Sequence, residues 1–235
     1  MRQTIGNHKH LLLLAAMLLG LVTQPLVSHE STASKVASDL LIAAITVSVL
    51  VVVFEDRWER CVALVLAAPA VVLSLGLYGA WGVPNVAISV AYHVSIVLFF
   101  GFVVGVIVRD AFRLHVIGFD DILGVSFGYL LLGIVWGSLY VLVEVLAPGS
   151  FAVSPDIRWQ LDDLHLRRAL FNYLSFANMT SLGYSAVVSV TPVANTLTWL
   201  EVMSAQFYLA VVIAQIVGMK LAKVVGPRGG GIDAK

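Results

Sequence analysis

The chain has 235 residues, of which 60% are hydrophobic and 12% are charged, and its formal net charge is zero. A soluble domain ordinarily contains about 45–50% apolar and about 25% charged residues, so this composition indicates an integral membrane protein in a lipid bilayer. The neutral charge gives no electrostatic basis for a nucleic-acid partner, and no soluble partner is evident. The single cysteine, Cys61, excludes an internal disulfide and a multi-cysteine metal site.

Hydrophobic runs long enough to cross about 30 Å of hydrocarbon as helices occur six times. Lipid cannot satisfy exposed backbone groups, and the sequence lacks the alternation typical of a membrane β-barrel, so we expect helices. The predicted fold class is an all-α membrane protein with six transmembrane helices. In chain order the predicted spans are Leu11–Val27, Ala37–Phe54, Val62–Ala80, Val86–Val108, Ile122–Leu146 and Leu197–Met219.

The distribution of positive charge predicts the orientation. If both termini are cytoplasmic, the inner segments contain ten Lys and Arg residues and the outer segments contain four. This bias obeys the positive-inside rule and predicts a multi-pass protein of the cell membrane with both termini cytoplasmic. The first run could instead be a signal peptide, although Leu26-Val27-Ser28 is a poor cleavage site. Its removal would leave the orientation of the later spans unchanged.

The first four spans, within residues 1–116, are predicted to form a peripheral layer. Val86–Val108 contains no Lys or Arg, which excludes a conventional voltage sensor, because such a sensor needs several gating charges. Two hypotheses remain open for His93 in this span, a proton sensor or a packing residue.

About fifty residues separate the fifth and sixth spans, which is too many for a tight connection between helices. The segment opens with a turn at Ala147–Ser150 and stays polar as far as Arg168. The apolar run Ala169–Met179 follows, and it is too short to span a bilayer. A short half-helix followed by a glycine-containing extended strand, Thr180–Ala186, predicts a re-entrant loop between the fifth and sixth spans.

The stretch from Phe171 to Met219 contains a series of short motifs: Tyr173-Leu174-Ser175-Phe176, Met179-Thr180-Ser181-Leu182-Gly183-Tyr184, Thr191-Pro192, Leu200-Glu201, Gln206, Tyr208-Leu209-Ala210-Val211 and Ala214. With these motifs the stretch resembles the two-transmembrane pore domain of prokaryotic potassium channels, here with extra N-terminal helices. The resemblance implies a pore domain over residues 117–223, a flexible tail over 224–235 and a homotetramer around a central axis.

By this resemblance, one loop from each subunit forms an ion filter whose backbone carbonyls replace the hydration shell of a monovalent cation, expected to be potassium. No cofactor is implied. The expected ion-binding filter residues are Thr180, Ser181, Leu182, Gly183, Tyr184 and Ser185.

This chain departs from the family at three pore-associated positions. Ser185 stands where the family has a second glycine with positive φ, which costs a non-glycine residue about 1–2 kcal/mol. Ala186 replaces an aspartate that ties the outer filter to the pore helix, so we expect weakened potassium selectivity. Ala205 replaces the hinge glycine of the inner helix, which predicts a straighter and stiffer helix.

Several acidic and basic residues admit competing interpretations. Glu144 either concentrates cations at the pore mouth or extends its carboxylate to the membrane interface. Glu201 forms either a structural bond to the pore loop or an ion-binding group, and Asp120 and Asp121 are expected to supply an N-cap and a helix-dipole partner. A solvated polar turret is expected from Asp162, Asp163, Arg167 and Arg168.

Enzymatic chemistry finds no support, because the sequence lacks a His-Glu-x-x-His motif, a nucleophile elbow and a phosphate-binding glycine loop. We therefore expect no enzyme, no catalytic residue and no metal site. The first functional hypothesis is a tetrameric, potassium-channel-like cation channel with the atypical filter Ser181–Ser185. The alternative is a non-conducting or regulatory membrane protein on a degenerate channel scaffold.

Overall fold

A computed structural model describes residues 9–26, 42–50, 53–54, 56–75, 86–113, 118–183 and 186–225. The fold is mostly helical, as the sequence predicts. Two three-residue strands and a 3-10 helix, Pro155–Leu161, accompany the helices and were not predicted. Residues 42–50 are also helical. The longer elements are α1 (Lys9–Leu26), α2 (Arg57–Leu75), α3 (Val86–Arg113), α4 (Phe119–Leu146), β1 (Phe151–Val153), α5 (Leu164–Met179), β2 (Val187–Ser189) and α6 (Pro192–Val225).

Three helices in the described part of the chain are long and apolar enough to cross a membrane: α3, α4 and the Pro192–Gln215 part of α6. They correspond to the fourth, fifth and sixth predicted spans. α1 contributes a shorter apolar stretch, His10–Val22. The second and third predicted spans fall only partly within the described residues.

Helix α4 begins at an N-cap that differs from the predicted one. Gly118 is the N-cap, and its backbone N–H donates to Asp121 Oδ2 at 2.8 Å. Asp120 and Asp121 lie in the first turn, where a negative charge is favoured by the helix dipole. The predicted dipole role therefore fits both aspartates, and the predicted N-cap assignment to them is wrong.

Helix α4 is central to the fold, since it packs against α1, α3, α5 and α6. Its small residues let the neighbouring helices approach closely, as in other membrane helix interfaces. A Cβ added at Gly137 would overlap Asn172 Oδ1 and lie 3.1 Å from Asn172 Cα on α5. A Cβ at Gly133 would lie 2.5 Å from the ring of Phe176 on α5. Glycine is therefore needed where α4 meets α5.

One hydrophobic core crosses the predicted boundary at residues 116/117. It joins buried side chains of α1, residues 42–50, α2 and α3 to Phe127, Leu131 and Val135 of α4. Polar contacts link helix ends at one side of this core. His10 Nδ1 lies 2.6 Å from Asp120 Oδ2, and Arg109 donates to Glu59. The N-terminal helices thus form a packed unit with the start of the predicted pore domain.

Strands β1 and β2 pair in antiparallel register, with Phe151 opposite Ser189 and Val153 opposite Val187. The backbone N–H of Ser154 extends the pairing by donating to the carbonyl of Ala186 at 3.0 Å. The two ends of the segment that contains α5 therefore lie side by side.

Candidate functional site

Helix α5 begins before the predicted apolar run, because Asp163 caps it. The Asp163 carboxylate accepts from the backbone N–H groups of His165 at 2.9 Å and Leu166 at 3.2 Å. α5 has 16 residues and is therefore about 24 Å long, and most of its side chains are buried. This short buried helix determines where the following loop begins.

The predicted solvated turret is wrong for Arg168. Its side chain is 5% exposed and points toward α3, where Nη1 donates to Tyr92 Oη at 3.4 Å. Asp163 serves as the helix cap described above, and Arg167 Nε donates to the carbonyl of Leu161 at 2.6 Å. These polar residues hold α5 in place, and Arg168 connects it to the N-terminal helices.

The C-terminal end of α5 has a partner for each of its last four carbonyls, at residues 176–179. The carbonyl of Phe176 accepts from Thr180 Oγ1 at 2.6 Å, and that of Met179 accepts from Tyr129 Oη of α4 at 3.0 Å. The backbone N–H groups of Ser181 and Leu182 donate to the carbonyls of Asn178 and Ala177, both at 2.9 Å. This pair of bonds is a Schellman motif, and it turns the chain sharply off the helix.

The first four predicted filter residues lie directly after α5 and are exposed. Thr180 is the C-cap. Ser181 has φ +56° and Gly183 has φ +81°, with Leu182, 49% exposed, between them. Ser181 occupies the left-handed position of the Schellman motif, where glycine is usual, at a cost of about 1–2 kcal/mol. Sequence reasoning placed such strain at Ser185 and missed it at Ser181.

Tyr184 and Ser185, the last two predicted filter residues, lie outside the described residues. Ala186 follows them, half-buried, and its carbonyl accepts from Ser154 at the base of the loop. The loop is therefore described from Thr180 to Gly183 and again from Ala186.

Glu201 of α6 is fully buried behind this loop. Its carboxyl group is hydrogen-bonded to Tyr140 Oη of α4 and Ser175 Oγ of α5, and it accepts from Asn178 Nδ2 at 3.0 Å. These contacts reach α4 and α5, so a structural role fits Glu201, whereas the predicted bond to the pore loop itself stays a prediction. The partners Tyr140 and Asn178 were missed, because hydrogen bonds between distant helices leave no local sequence signal.

Glu144, near the end of α4, is 8% exposed. Its two carboxylate oxygens accept from the backbone N–H groups of Gly149 at 2.8 Å and Phe151 at 3.1 Å. Glu144 therefore shapes the turn that leads into β1. Neither predicted role, at a pore mouth or at the membrane interface, fits this buried position.

Ala205 lies one helical turn after Glu201 and is fully buried, and α6 continues as helix through it. The helix has no break at Ala205, and the predicted straightness and stiffness of the inner helix stay a prediction. The next residue, Gln206, donates from Nε2 to Ser181 Oγ at 3.4 Å, which ties α6 to the loop.

His93 of α3 is 3% exposed and packs edge-on against Tyr92. Its Nδ1 has no hydrogen-bond partner among the described residues. The packing hypothesis fits its burial, although the nitrogen is not satisfied as that hypothesis expects.

An ionic cluster lies at the opposite end of α3 from His93. Arg109 bonds to Glu59 of α2 and to Asp110 Oδ1, the latter at 2.7 Å. The hydrogen bond from Arg109 to Glu59 holds the pKa of the Glu59 carboxyl below its ordinary value. Within the described ranges, no group of three or more His, Cys, Asp or Glu side chains is arranged to hold a metal ion.

Comparisons with protein-family models, curated proteins and solved structures gave no match.

Proposed function

We propose that the chain is one subunit of a homotetrameric, potassium-channel-like monovalent cation channel. The observation that carries the proposal is the loop Thr180–Gly183. It leaves the C-terminal end of a short buried helix, lies exposed on the subunit, and has positive φ at Ser181 and at Gly183 but not at Leu182 between them.

Alternation in the sign of φ matters for ion binding. In an ordinary strand, successive carbonyls point to opposite sides, whereas alternation between left- and right-handed residues lets successive carbonyls face the same side. A filter needs such a row, because carbonyl oxygens from each subunit together replace the hydration shell of the ion. The arrangement requires φ to alternate in sign, and φ is positive at Ser181 and Gly183 but not at Leu182 between them.

The proposal takes the segment between β1 and β2 as a re-entrant loop. Its two ends are paired, and α5, at about 24 Å, is too short to cross about 30 Å of hydrocarbon. Non-helical backbone at membrane depth is tolerated where protein buries it or water lines it. Six transmembrane helices, with this loop between the fifth and sixth, form the complete architecture that we propose.

A fourfold assembly would use the exposed side of α6. Most of the Pro192–Gln215 part of α6 is exposed in the single subunit, in contrast to α3 and α4. One loop offers one row of carbonyls, so a closed ring needs further copies of the chain. The large apolar side chains that α6 leaves exposed include Trp199, Met203, Phe207 and Ile213.

The polar contacts at the helix ends support the proposed orientation. The pairs His10–Asp120 and Glu59–Arg109 bring together the starts of α1, α2 and α4 and the end of α3. These ends carry the positive charges that the positive-inside rule assigns to the cytoplasm. We therefore propose a multi-pass protein of the cell membrane with cytoplasmic termini.

The test is reconstitution of the purified protein into liposomes with a potassium gradient, followed by single-channel recording with K⁺ and Na⁺ on opposite sides. We expect monovalent cation flux with modest preference for K⁺. The double reversion Ser185→Gly/Ala186→Asp should shift the reversal potential toward that of K⁺, since it restores the glycine and the carboxylate of the family.

A matched control is Ala147→Asp, which adds the same charge at an exposed position on the same proposed face but outside the loop. It should leave the reversal potential unchanged. Absence of flux from folded protein, in the wild type and in the double reversion alike, would instead support a non-conducting or regulatory protein on the same scaffold.

A further inference from the structure

We infer that the buried Glu201 carboxyl group carries a proton and donates it to Ser175 Oγ, so that α4, α5 and α6 are joined behind the loop by a neutral, proton-dependent clasp. The clasp consists of Glu201, Tyr140, Ser175 and Asn178. Any effect of this proton on ion flux rests on the proposed function, whereas the proton itself does not.

The first argument is a hydrogen count at Ser175. Its hydroxyl has one hydrogen but lies within bonding distance of two oxygen acceptors, the carbonyl of Gly133 at 2.8 Å and Glu201 Oε1, besides a weaker contact with Met179 Sδ at 3.9 Å. A proton on Oε1 resolves the conflict, because Glu201 then donates to Ser175 and Ser175 donates to Gly133. The other carboxyl oxygen, Oε2, accepts from Tyr140 and Asn178 in either case.

The second argument concerns charge. An ionised carboxylate removed from water needs a cationic partner, and inside a membrane the cost of lacking one is several kcal/mol. Glu201 is fully buried, and its hydrogen-bond partners in the described residues are neutral side chains. The nearest cation of α5, Arg168, lies two helical turns before Ser175 and points toward α3.

The third argument comes from the end of α5. Asn178 belongs to the last turn of that helix, where the helix dipole presents partial negative charge and disfavours an anion. Of the titratable groups of α4, Tyr140 bonds to Glu201 and Tyr129 bonds to the carbonyl of Met179, and neither supplies a positive charge. Burial, the helix dipole and the lack of a cationic partner among the described residues favour the neutral carboxyl group, and they oppose the hydrogen bonds from Tyr140 and Asn178, which favour the ionised form.

Infrared difference spectroscopy of the reconstituted protein tests the proton without measuring ion flux. We expect the carbonyl band of a protonated carboxylic acid at neutral pH, lost in Glu201→Gln and retained in Glu144→Gln. Ser175→Ala should shift that band, because the acid loses its acceptor. A wild type without such a band, or a band that survives Glu201→Gln, overturns the inference.

Stability against pH provides a second test. The folded chain keeps one proton that the unfolded chain, with this carboxyl in water, releases above about pH 5. The unfolding equilibrium constant of the wild type relative to Glu201→Gln should therefore rise about tenfold per pH unit over the range in which the folded group stays protonated. A ratio that does not change with pH means that Glu201 is ionised in the fold, and the inference fails even if the protein conducts ions.

Discussion

Substitution of Gly137 tests whether the contact between α4 and α5 positions the loop. A Cβ at this position would overlap Asn172 Oδ1 and lie 3.1 Å from Asn172 Cα, and backbone cannot rotate away as a side chain can. Gly137→Ala therefore has to push α5 away from α4. Gly133→Ala is milder, because its Cβ meets the ring edge of Phe176, which can turn. In Gly101→Ala, the control on α3, the Cβ meets no atom within 4 Å.

The magnitude follows from comparing these variants. All three gain about 1 kcal/mol in helix propensity, so this gain cancels between them. The remaining difference is the overpacking cost, about 1–3 kcal/mol for Gly137→Ala relative to Gly101→Ala, with Gly133→Ala between them. The assay is reversible unfolding in mixed micelles, followed by tryptophan fluorescence. Equal stability of Gly137→Ala and Gly101→Ala would refute the proposed close contact between α4 and α5.

Three further predictions concern polar contacts. Glu144→Gln should lower stability by about 1–3 kcal/mol in the same assay, because one of two backbone N–H groups loses its acceptor; a neutral effect would contradict the role of Glu144 in the turn. Tyr129→Phe and Tyr208→Phe should each lower the free energy of unfolding by about 0.5–1.5 kcal/mol, because each loses one hydrogen bond to a backbone carbonyl. Only Tyr129→Phe should alter K⁺/Na⁺ selectivity, because it frees the Met179 carbonyl beside the loop. Equal selectivity of the two variants would argue against this position of the loop. The Glu59–Arg109 ion pair should add only about 0–1 kcal/mol to the free energy of unfolding, because the arginine side chain is 37% exposed. This contribution is present above the ordinary carboxyl pKa of about 4.3 and is lost as pH falls through the lowered pKa of Glu59. In acid-unfolding curves, Glu59→Gln should lack this loss.

Hydrophobic length was the most reliable sequence signal. The predicted fifth span ends at Leu146, where α4 ends, because Pro148 and Gly149 break the helix there. The predicted apolar run began at Ala169, whereas α5 begins at Leu164. The first turn of α5 is polar and is formed through the Asp163 cap, so a search for apolar residues cannot find it. Three-residue strands have no measurable periodicity, and β1 and β2 pair across more than thirty residues.

The candidate site was only partly predictable for a different reason. Composition around residues 162–168 indicated a solvated surface, but Arg168, Asn172, Ser175 and Met179 lie at helical spacing on a buried side of α5. The sequence does not reveal that side, because polar residues are buried there through bonds to other helices. Tyr92, Gly133 and Glu201 supply these partners from α3, α4 and α6.

The local rule broken most clearly in the described chain is at Ser181, a non-glycine residue with φ +56°. Such a conformation persists only where surrounding contacts determine it. Here those contacts are independent of one another: Tyr129 holds the carbonyl of Met179, Glu201 holds the last turns of α5, and β1 with β2 fixes the loop at its base. The segment is strained, is held by three sets of contacts and is exposed on its remaining side. Such strain lowers the stability of the fold, and it is expected where the strained segment has a function. The exposed backbone of Ser181–Gly183 is therefore the part of the chain for which a function has to be sought.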